Sequence, residues 1–329
     1  MMTIRARLDP ALSATVVRSV PLLYADGADP SLDRPTHVRA ASGMAMLGGR
    51  VVVVQDDAGF VALADPDTGR ASALALPAGH GSARQFDDER GNKRWKLDLE
   101  SCEVLRDGDG REVLAAFGSG SSPRRERVVV VRGIDSGDAE IVVADASALY
   151  ARLRAETAFA GSELNVEGAA RVGGVLRLFN RGNGAPRGGL RPVDATCDLD
   201  AAALLAYLRD PSLSPPVPRN VTRYALGGIG GFPLTFTDAA AHGDAILYTA
   251  AAEDSPDATR DGPVAGSAIG VIRGGEARFC VVSNADGSRY PGKIEGILPH
   301  APGRAWFVID RDDPSVPSEL SEVVLEGDW

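Results

Sequence analysis

AASGMAMLGGRVVVVQDD, residues 40–57, holds two apolar runs around a Gly48-Gly49 pair, with Ser42 near its start and Gln55, Asp56 and Asp57 at its end. Two β-prone runs joined by glycines predict a tight antiparallel hairpin, because glycine supplies the positive φ such a turn needs. The phrase recurs as DLESCEVLRDGDGREVLAAFGSGSS (98–122), NVEGAARVGGVLRLFNRGN (165–183), TFTDAAAHGDAILYTAAAED (235–254) and KIEGILPHAPGRAWFVIDRDD (293–313). Its five copies centre on Ser42, Glu100, Glu167, Thr237 and Glu295.

The steps between centres are 58, 67, 70 and 58 residues. Each period has room for about four short strands, and four-stranded antiparallel repeats of this length predict the blades of a β-propeller. The chain therefore reads as all-β, a single propeller domain over 1–329. Innermost strands are expected near 38–47, 96–105, 163–172, 233–241 and 291–299. That makes five blades, with six as the alternative if 192–226 hides a blade whose phrase is weak. The two longer periods contain the segments with helical period, near 146–157 and 199–210, expected as insertions on the β scaffold. Only 34 residues follow Glu295, enough for three strands of the last blade. The run ATVVRSVPLLY at 14–24 is spare, so the N-terminal strand is expected to pair into the last blade, which removes the ring's open edges.

A formal net charge of −10, from 45 acidic and 35 basic residues, argues against a nucleic-acid partner, which needs a basic face. Cys102, Cys197 and Cys280 form no CxxC pair, so neither a disulfide framework nor a zinc site is expected. No apolar stretch is long enough to span a membrane and the N-terminus has no apolar leader core, so a soluble, monomeric, cytoplasmic protein is expected, periplasmic if a leader was removed. The chain has three lysines against 32 arginines. Two of them, Lys96 and Lys293, lie just before repeat glutamates, where a compact charge differs from a guanidinium.

In a propeller the start of each innermost strand and the end of the second lie on one face of the disc. This rule gathers Ser42, Glu100, Glu167, Thr237 and Glu295, with Asp238 next to Thr237, and from the second strands Gln55, Asp56, Asp57, Ser119, Ser121, Asn180, Arg181, Glu253, Asp254, Asp310 and Asp312. Alternation places Lys96 and Asp98 beside Glu100, and Lys293 beside Glu295. Converging carboxylates repel unless cations relieve them. Lys96, Lys293 and Arg181 can do so as ion pairs, and so can calcium, which takes six to eight oxygens at flexible geometry. Glu100, Glu167, Asp238, Glu253, Glu295 and Asp310 are thus candidate metal ligands. Lys96, Lys293, Asn180, Arg181, Gln55 and Asp57 are candidate ligand contacts for a small anionic or polar molecule. His37, His80, His242 and His300 are scattered, which disfavours a histidine metal site. Asn180 opens a glycine-rich run, NRGNGAPRGG, with no GKS/T, so it is no P-loop, and GSGSS at 118–122 lacks the context of a serine nucleophile. The acidic run 253–262 reads as a loop on the mouth side. The glutamates also admit a structural reading, in which they set the ring and the protein is a non-catalytic scaffold or sensor with a protein partner.

NVEGAA (165–170), KIEGIL (293–298), FTDAA (236–240) and AED (252–254) resemble the "esterase-like activity of phytase" group of bacterial β-propellers and related propellers with a recurring Glu-Gly pair. The resemblance implies a charged channel mouth, calcium dependence and metal-assisted hydrolysis of phosphate esters. Carried over by position, it points to Glu167, Glu295, Asp238 and Glu253. Ser42 and Thr237 stand where a fuller acidic ring would have carboxylates.

Overall fold

Runs such as residues 51–54 and 128–131 are valine throughout rather than alternating, so both faces of these strands must be covered. The computed structural model, which describes residues 3–134, 139–254 and 262–329, covers them by standing five antiparallel sheets around an axis. The first blade runs outward through Ala41–Leu47, Arg50–Gln55, Phe60–Ala64 and Arg70–Ala75. The second uses Leu99–Arg106, Glu112–Gly118, Arg127–Arg132 and Glu140–Asp145. The third uses Val166–Val172, Val175–Asn180, Asp194–Asp200 and Arg219–Ala225. The fourth uses Phe232–His242, Ala245–Glu253, Val264–Arg273 and Glu276–Val281. The fifth uses Ile294–Ala301, Arg304–Ile309 and Glu319–Glu326, with Ser13–Pro21 as its outermost antiparallel strand.

The ring closes as the strand count requires, and there are five blades. Residues 192–226 hold the two outer strands of the third blade and no sixth. Only the end of the 14–24 run departs from expectation: Leu23–Tyr24 leaves the fifth blade and pairs in parallel with Arg70–Ala75 of the first. Thr3–Arg5 and Arg7–Leu8 add likewise to the outer edges of the third and fourth blades. Covering an outer edge satisfies backbone groups that would otherwise template aggregation. The helical segments appear as Ser147–Ala155 with Thr157–Ala160, and Ala201–Arg209, packed against the second and third blades. Five apolar clusters fill the five blade interfaces; the one between the fifth and first blades joins Val308 and Leu320 to Leu22, Val51 and Val53.

One irregularity repeats in every blade. The pairing of the innermost strand with the second slips between Ala41 and Met44, between Leu99 and Ser101, between Val166 and Gly168, between Phe236 and Asp238, and between Ile294 and Gly296. The slip falls at Ser42, Glu100, Glu167, Thr237 and Glu295. A β-bulge adds one residue, breaks the alternation and re-aims a side chain, so the repeat phrase is the sequence of a bulge. The next residue is Gly43, Ser101, Gly168, Asp238 or Gly296, and there neighbouring innermost strands nearly touch. A Cβ on Gly43 would lie 2.9 Å from the Ser101 Cα, and one on Gly296 would lie 2.9 Å from the Ser42 carbonyl oxygen.

This contact is testable by a methyl. Gly43→Ala is expected to cost about 1–3 kcal/mol, because the atoms it meets are backbone and cannot swing away. Gly174→Ala, at a turn with open space around it, is the control and should be nearly neutral. Equal denaturation midpoints for both variants would remove the close approach as the reason for the glycine.

Candidate functional site

The bulges turn Ser42, Glu100, Glu167 and Glu295 into a narrow cavity of about 60 Å³ on the channel axis. Two residues earlier, Ala40, Asp98, Asn165 and Lys293 line the same wall, and the second strands end on it near Asp56, Arg181 and Asp310. In the fourth blade Thr237 fills the bulge position instead, and its hydroxyl donates to the Ile294 carbonyl at 2.6 Å. Ser42 does the same to the Leu99 carbonyl. These two blades use the position to tie neighbouring strands, which leaves the acids to the other three.

The side chains fall into two groups. In one, the buried Lys96 donates to Asp56 at 2.5 Å and Asp57 at 3.0 Å and lies 2.9 Å from Asp98. Asp98 also takes Arg125 at 2.8 Å and the Ser119 hydroxyl. In the other, Arg181 bridges Glu253 at 2.6 Å and Glu167 at 3.5 Å, while Lys293 pairs with Glu295 at 2.8 Å and Glu253 at 3.7 Å. Asn165 donates to Glu167 at 2.6 Å.

Burial dominates the protonation of this cluster. It pushes Asp56 well above the usual carboxylate range, with Lys96 opposing and Asp57 and Asp98 adding repulsion. Glu100 is raised by burial and then by Asp56, Glu167 and Asp98. Glu167 rises to about 7 through burial, with Arg181 pulling it down and Glu295 up. Asp310 rises to about 7 through burial, Asp312 and Asp57. Asp98 goes the other way: burial would raise it, yet Lys96, Arg125 and its donors hold it well below the normal range. Burial would lower the Lys96 ammonium, but Asp56, Asp98 and Asp57 lift it far above its ordinary value.

The carboxylate oxygens of Asp56, Asp98 and Glu100 lie within 4.8 Å of one another. One oxygen of Asp56 is buried without a hydrogen-bond partner, and Glu100 makes no ion pair or hydrogen bond among the described residues. Ala40, Asp98 and Asp312, three of six described non-glycine residues with positive φ, all line this cavity. Strain of that kind, about 1–3 kcal/mol each, persists only where the surroundings impose it.

Of the residues expected at the mouth, Lys96, Glu100, Glu167, Arg181, Lys293, Glu295 and Asp310 line the cavity. Asp57 sits higher, in a wider vestibule of about 930 Å³ that opens above it. Four others are placed differently. Gln55 turns into its own blade, donating to the Phe60 carbonyl at 2.9 Å and the Tyr24 hydroxyl at 3.0 Å. Asn180 is spent on backbone, accepting from Asn165 N–H and donating to the Val193 carbonyl, both at 2.8 Å. Asp238 follows the bulge rather than occupying it, and accepts from the Ile297 N–H at 2.9 Å between blades. Glu253 lies behind the lining, held by Arg181 and the Gly262 N–H. Residues 255–261 of the acidic run fall outside the described residues.

Asn165 and Asn183 line the cavity without having been singled out by sequence, and Arg125 joins them from the run Arg124-Arg125-Glu126-Arg127, which reads as a solvated loop able to recruit phosphate only if it sits on the channel face. Asn165 could have been found, because it holds the place of Asp98 and Lys293 in the phrase. Arg125 arrives on the three-residue turn Pro123–Arg125 and carries no repeat signal.

The sequence matches, over residues 37–325, the family described as "Family of unknown function (DUF6929)". No curated protein matches it. Among solved structures, it is similar to glutaminyl cyclase from Myxococcus xanthus, at 12% identity over 100% of both chains with a TM-score of 0.43. It is also similar to MPT-4, a mannose phosphorylase from Leishmania mexicana, at 15% identity over 94% of this chain and 88% of that one, with a TM-score of 0.45. An enzyme of Carbohydrate-Active Enzymes Family AA12 from Trichoderma reesei gives 11% identity over 98% of both chains and 0.40. At such identities no activity or substrate follows.

Two substitutions test the electrostatics. Lys96→Met leaves Asp56, Asp57 and Asp98 without their shared cation and should cost roughly 3–5 kcal/mol at pH 8 and less at pH 5, where protons replace it. A loss independent of pH would mean that Lys96 matters for packing alone. Asp194 is pushed to about 7 by burial, although it accepts Gly182 and Phe236 N–H groups on one oxygen. A raised acid binds its proton more tightly folded than unfolded, so its stabilising contribution is full below pH 4 and lost as pH rises through about 7. Asp194→Asn keeps the accepting oxygen, so melting should show a gain on the order of 2 kcal/mol at pH 8 and little change at pH 4.

Proposed function

We propose that this chain, which belongs to the DUF6929 family of unknown function, binds a divalent cation at the propeller's channel mouth and holds a small polar or anionic molecule over it. The observation that carries this reading is the convergence of Asp56, Asp98 and Glu100 within 4.8 Å. The donor set fits a hard cation: the lining offers carboxylates and the amides of Asn165 and Asn183, with no histidine or cysteine. The unpartnered Asp56 oxygen and the unpaired Glu100 are the groups such an ion would satisfy. Calcium suits the irregular spacing better than magnesium, which demands near-octahedral order.

The protein's own cations play a different part. Lys96, Arg181 and Lys293 are each engaged by carboxylates, so they fix the acids in place rather than waiting for an anion. Glu167 and Asp310, both near 7, are the groups positioned to hold or release a proton at neutral pH. Bound there, a divalent ion would supply Lewis-acid polarisation of a phosphoryl or carbonyl oxygen. Cation-dependent phosphoester hydrolysis of the phytase-like or esterase-like kind is the finer reading, supported by the Glu-Gly phrases. The protein is taken to act as a cytoplasmic monomer on a small molecule, with neither nucleic acid nor membrane as partner.

Melting in calcium, in magnesium and after chelation tests this. Calcium at 100 times its Kd adds about 2.7 kcal/mol, a rise of several degrees for a chain of this size. Glu100→Gln and Asp56→Asn should abolish that rise while melting normally in chelator. No shift with either ion would sink the cation and leave the non-catalytic scaffold, its glutamates structural and its partner a protein. A calcium shift without turnover on phosphate and carboxylate esters would favour sensing over hydrolysis.

A further inference from the structure

The vestibule above the cavity has a basic wall that the cation reading does not use. Two short turns, Lys93–Trp95 and Pro123–Arg125, bring Lys93, Arg94, Arg124 and Arg125 together at the second blade. Lys93, Arg94 and Arg125 line the vestibule. The Arg124 guanidinium lies 3.4 Å from the centre of the Trp95 ring and that of Arg94 lies 5.5 Å from it. His80 stacks on the same ring at 3.9 Å and 9°. Two groups so close to one centroid cannot share a face, so Trp95 is clasped between His80 and Arg124.

Arg125 is neutralised by Asp98, and Lys93 reaches the exposed Asp88 at 3.6 Å. Neither Arg94 nor Arg124 has a carboxylate partner among the described residues, in a chain of net charge −10. One indole thus holds two like charges that repel each other, and an anion between them would turn that repulsion into attraction. Apart from Arg39, which pairs with Asp87 at 3.2 Å, the other charged side chains of the vestibule are acidic: Asp57, Asp87, Asp88 and Glu89, and Asp310, Asp312 and Asp313. A wholly anionic ligand is repelled there, whereas a molecule with one anionic end and a polar, hydroxyl-bearing body suits both parts. At about 930 Å³ the vestibule has the volume of a small-molecule site.

We infer that Arg94 and Arg124, held by Trp95 and flanked by Lys93, form an anion subsite that receives the phosphate or carboxylate end of a small polar molecule. The subsite stands on the basic wall alone, whether or not a cation occupies the acids below. Calorimetric titration with inorganic phosphate, glycerol phosphate and succinate, in chelator, tests it. A phosphate-bearing probe or succinate should bind saturably and weaken several-fold between 50 and 200 mM salt. The Arg94→Ala, Arg124→Ala double variant should lose at least tenfold in affinity, and the double lysine variant should recover part of it. Both arginines are exposed, so the fold should survive, as an unchanged melting temperature would verify. Arg304→Ala, at the hairpin turn on the opposite face, should bind like the wild type. Preference for the phosphates over succinate, or the reverse, identifies the anion. No saturable binding of any of the three probes, or equal affinity in the double alanine variant, overturns the inference. Calcium that tightens phosphate binding reports on the cation instead, so the two readings fail separately.

Discussion

Five strands cannot meet around one axis unless side chains are removed from where they touch. That constraint governs the molecule. It requires Gly43, Gly168 and Gly296 at the contact, with Ser101 and Asp238 at the same position in the other two blades. It also explains the bulge one residue earlier. A strand kept in strict alternation would send that side chain along the pleat, whereas the extra residue lets it turn onto the axis. Packing and chemistry are thus set by consecutive residues: the second of each pair permits the ring, and the first decides what the ring presents.

What the ring presents is uneven, and the unevenness is electrostatic. Ser42 and Thr237 are short and donate their hydroxyls to the neighbouring strand, so at these two positions the ring presents no charge. An ionised glutamate has no hydrogen to donate to such a carbonyl, and the three glutamates line the cavity. Their charge is handled differently on the two sides. Glu167 and Glu295 have Arg181 and Lys293 close by, while Glu100 shares its space with Asp56 and Asp98, whose lysine is already divided among three carboxylates. Buried charge without full compensation is costly, and it is concentrated at Glu100.

The architecture was legible in the sequence because the repeat encodes backbone geometry, and geometry recurs wherever the phrase does. The spacing gave the blade count, and the spare strand at 14–24 gave the closure. The site was legible only as far as the repeat reached. Glu100, Glu167, Glu295 and the lysines before them are repeat positions and were found. Gln55 and Asn180 were misplaced because the ends of second strands carry no bulge to turn them outward, and each finds buried backbone groups to satisfy. Asp238 next to Thr237 supplies the fourth blade's carboxylate at this point, but its place in the phrase is the glycine's, so it accepts from the neighbouring strand instead. Trp95 goes unread, and Arg125 reads only as part of a basic loop, because both lie on irregular turns, where one copy of the repeat says nothing about another.

The path of residues 3–24 carries a consequence for how the ring is made. In order, this segment visits the outer edges of the third, fourth, fifth and first blades. Every one of its partners is encoded downstream of it, and the strand that completes the fifth blade precedes the rest of that blade by more than 270 residues. During synthesis Leu23–Tyr24 meets Arg70–Ala75 early, but Thr3–Arg5, Arg7–Leu8 and Ser13–Pro21 have nothing to pair with until Arg219–Ala225, Glu276–Val281 and Glu319–Glu326 have emerged. The first four blades can form locally from contiguous sequence, but most of the belt that fastens the ring is made early and used last. Contacts of such long sequence separation are slow to form, so the final fastening, rather than the folding of any blade, sets the pace at which a closed ring with a complete mouth appears.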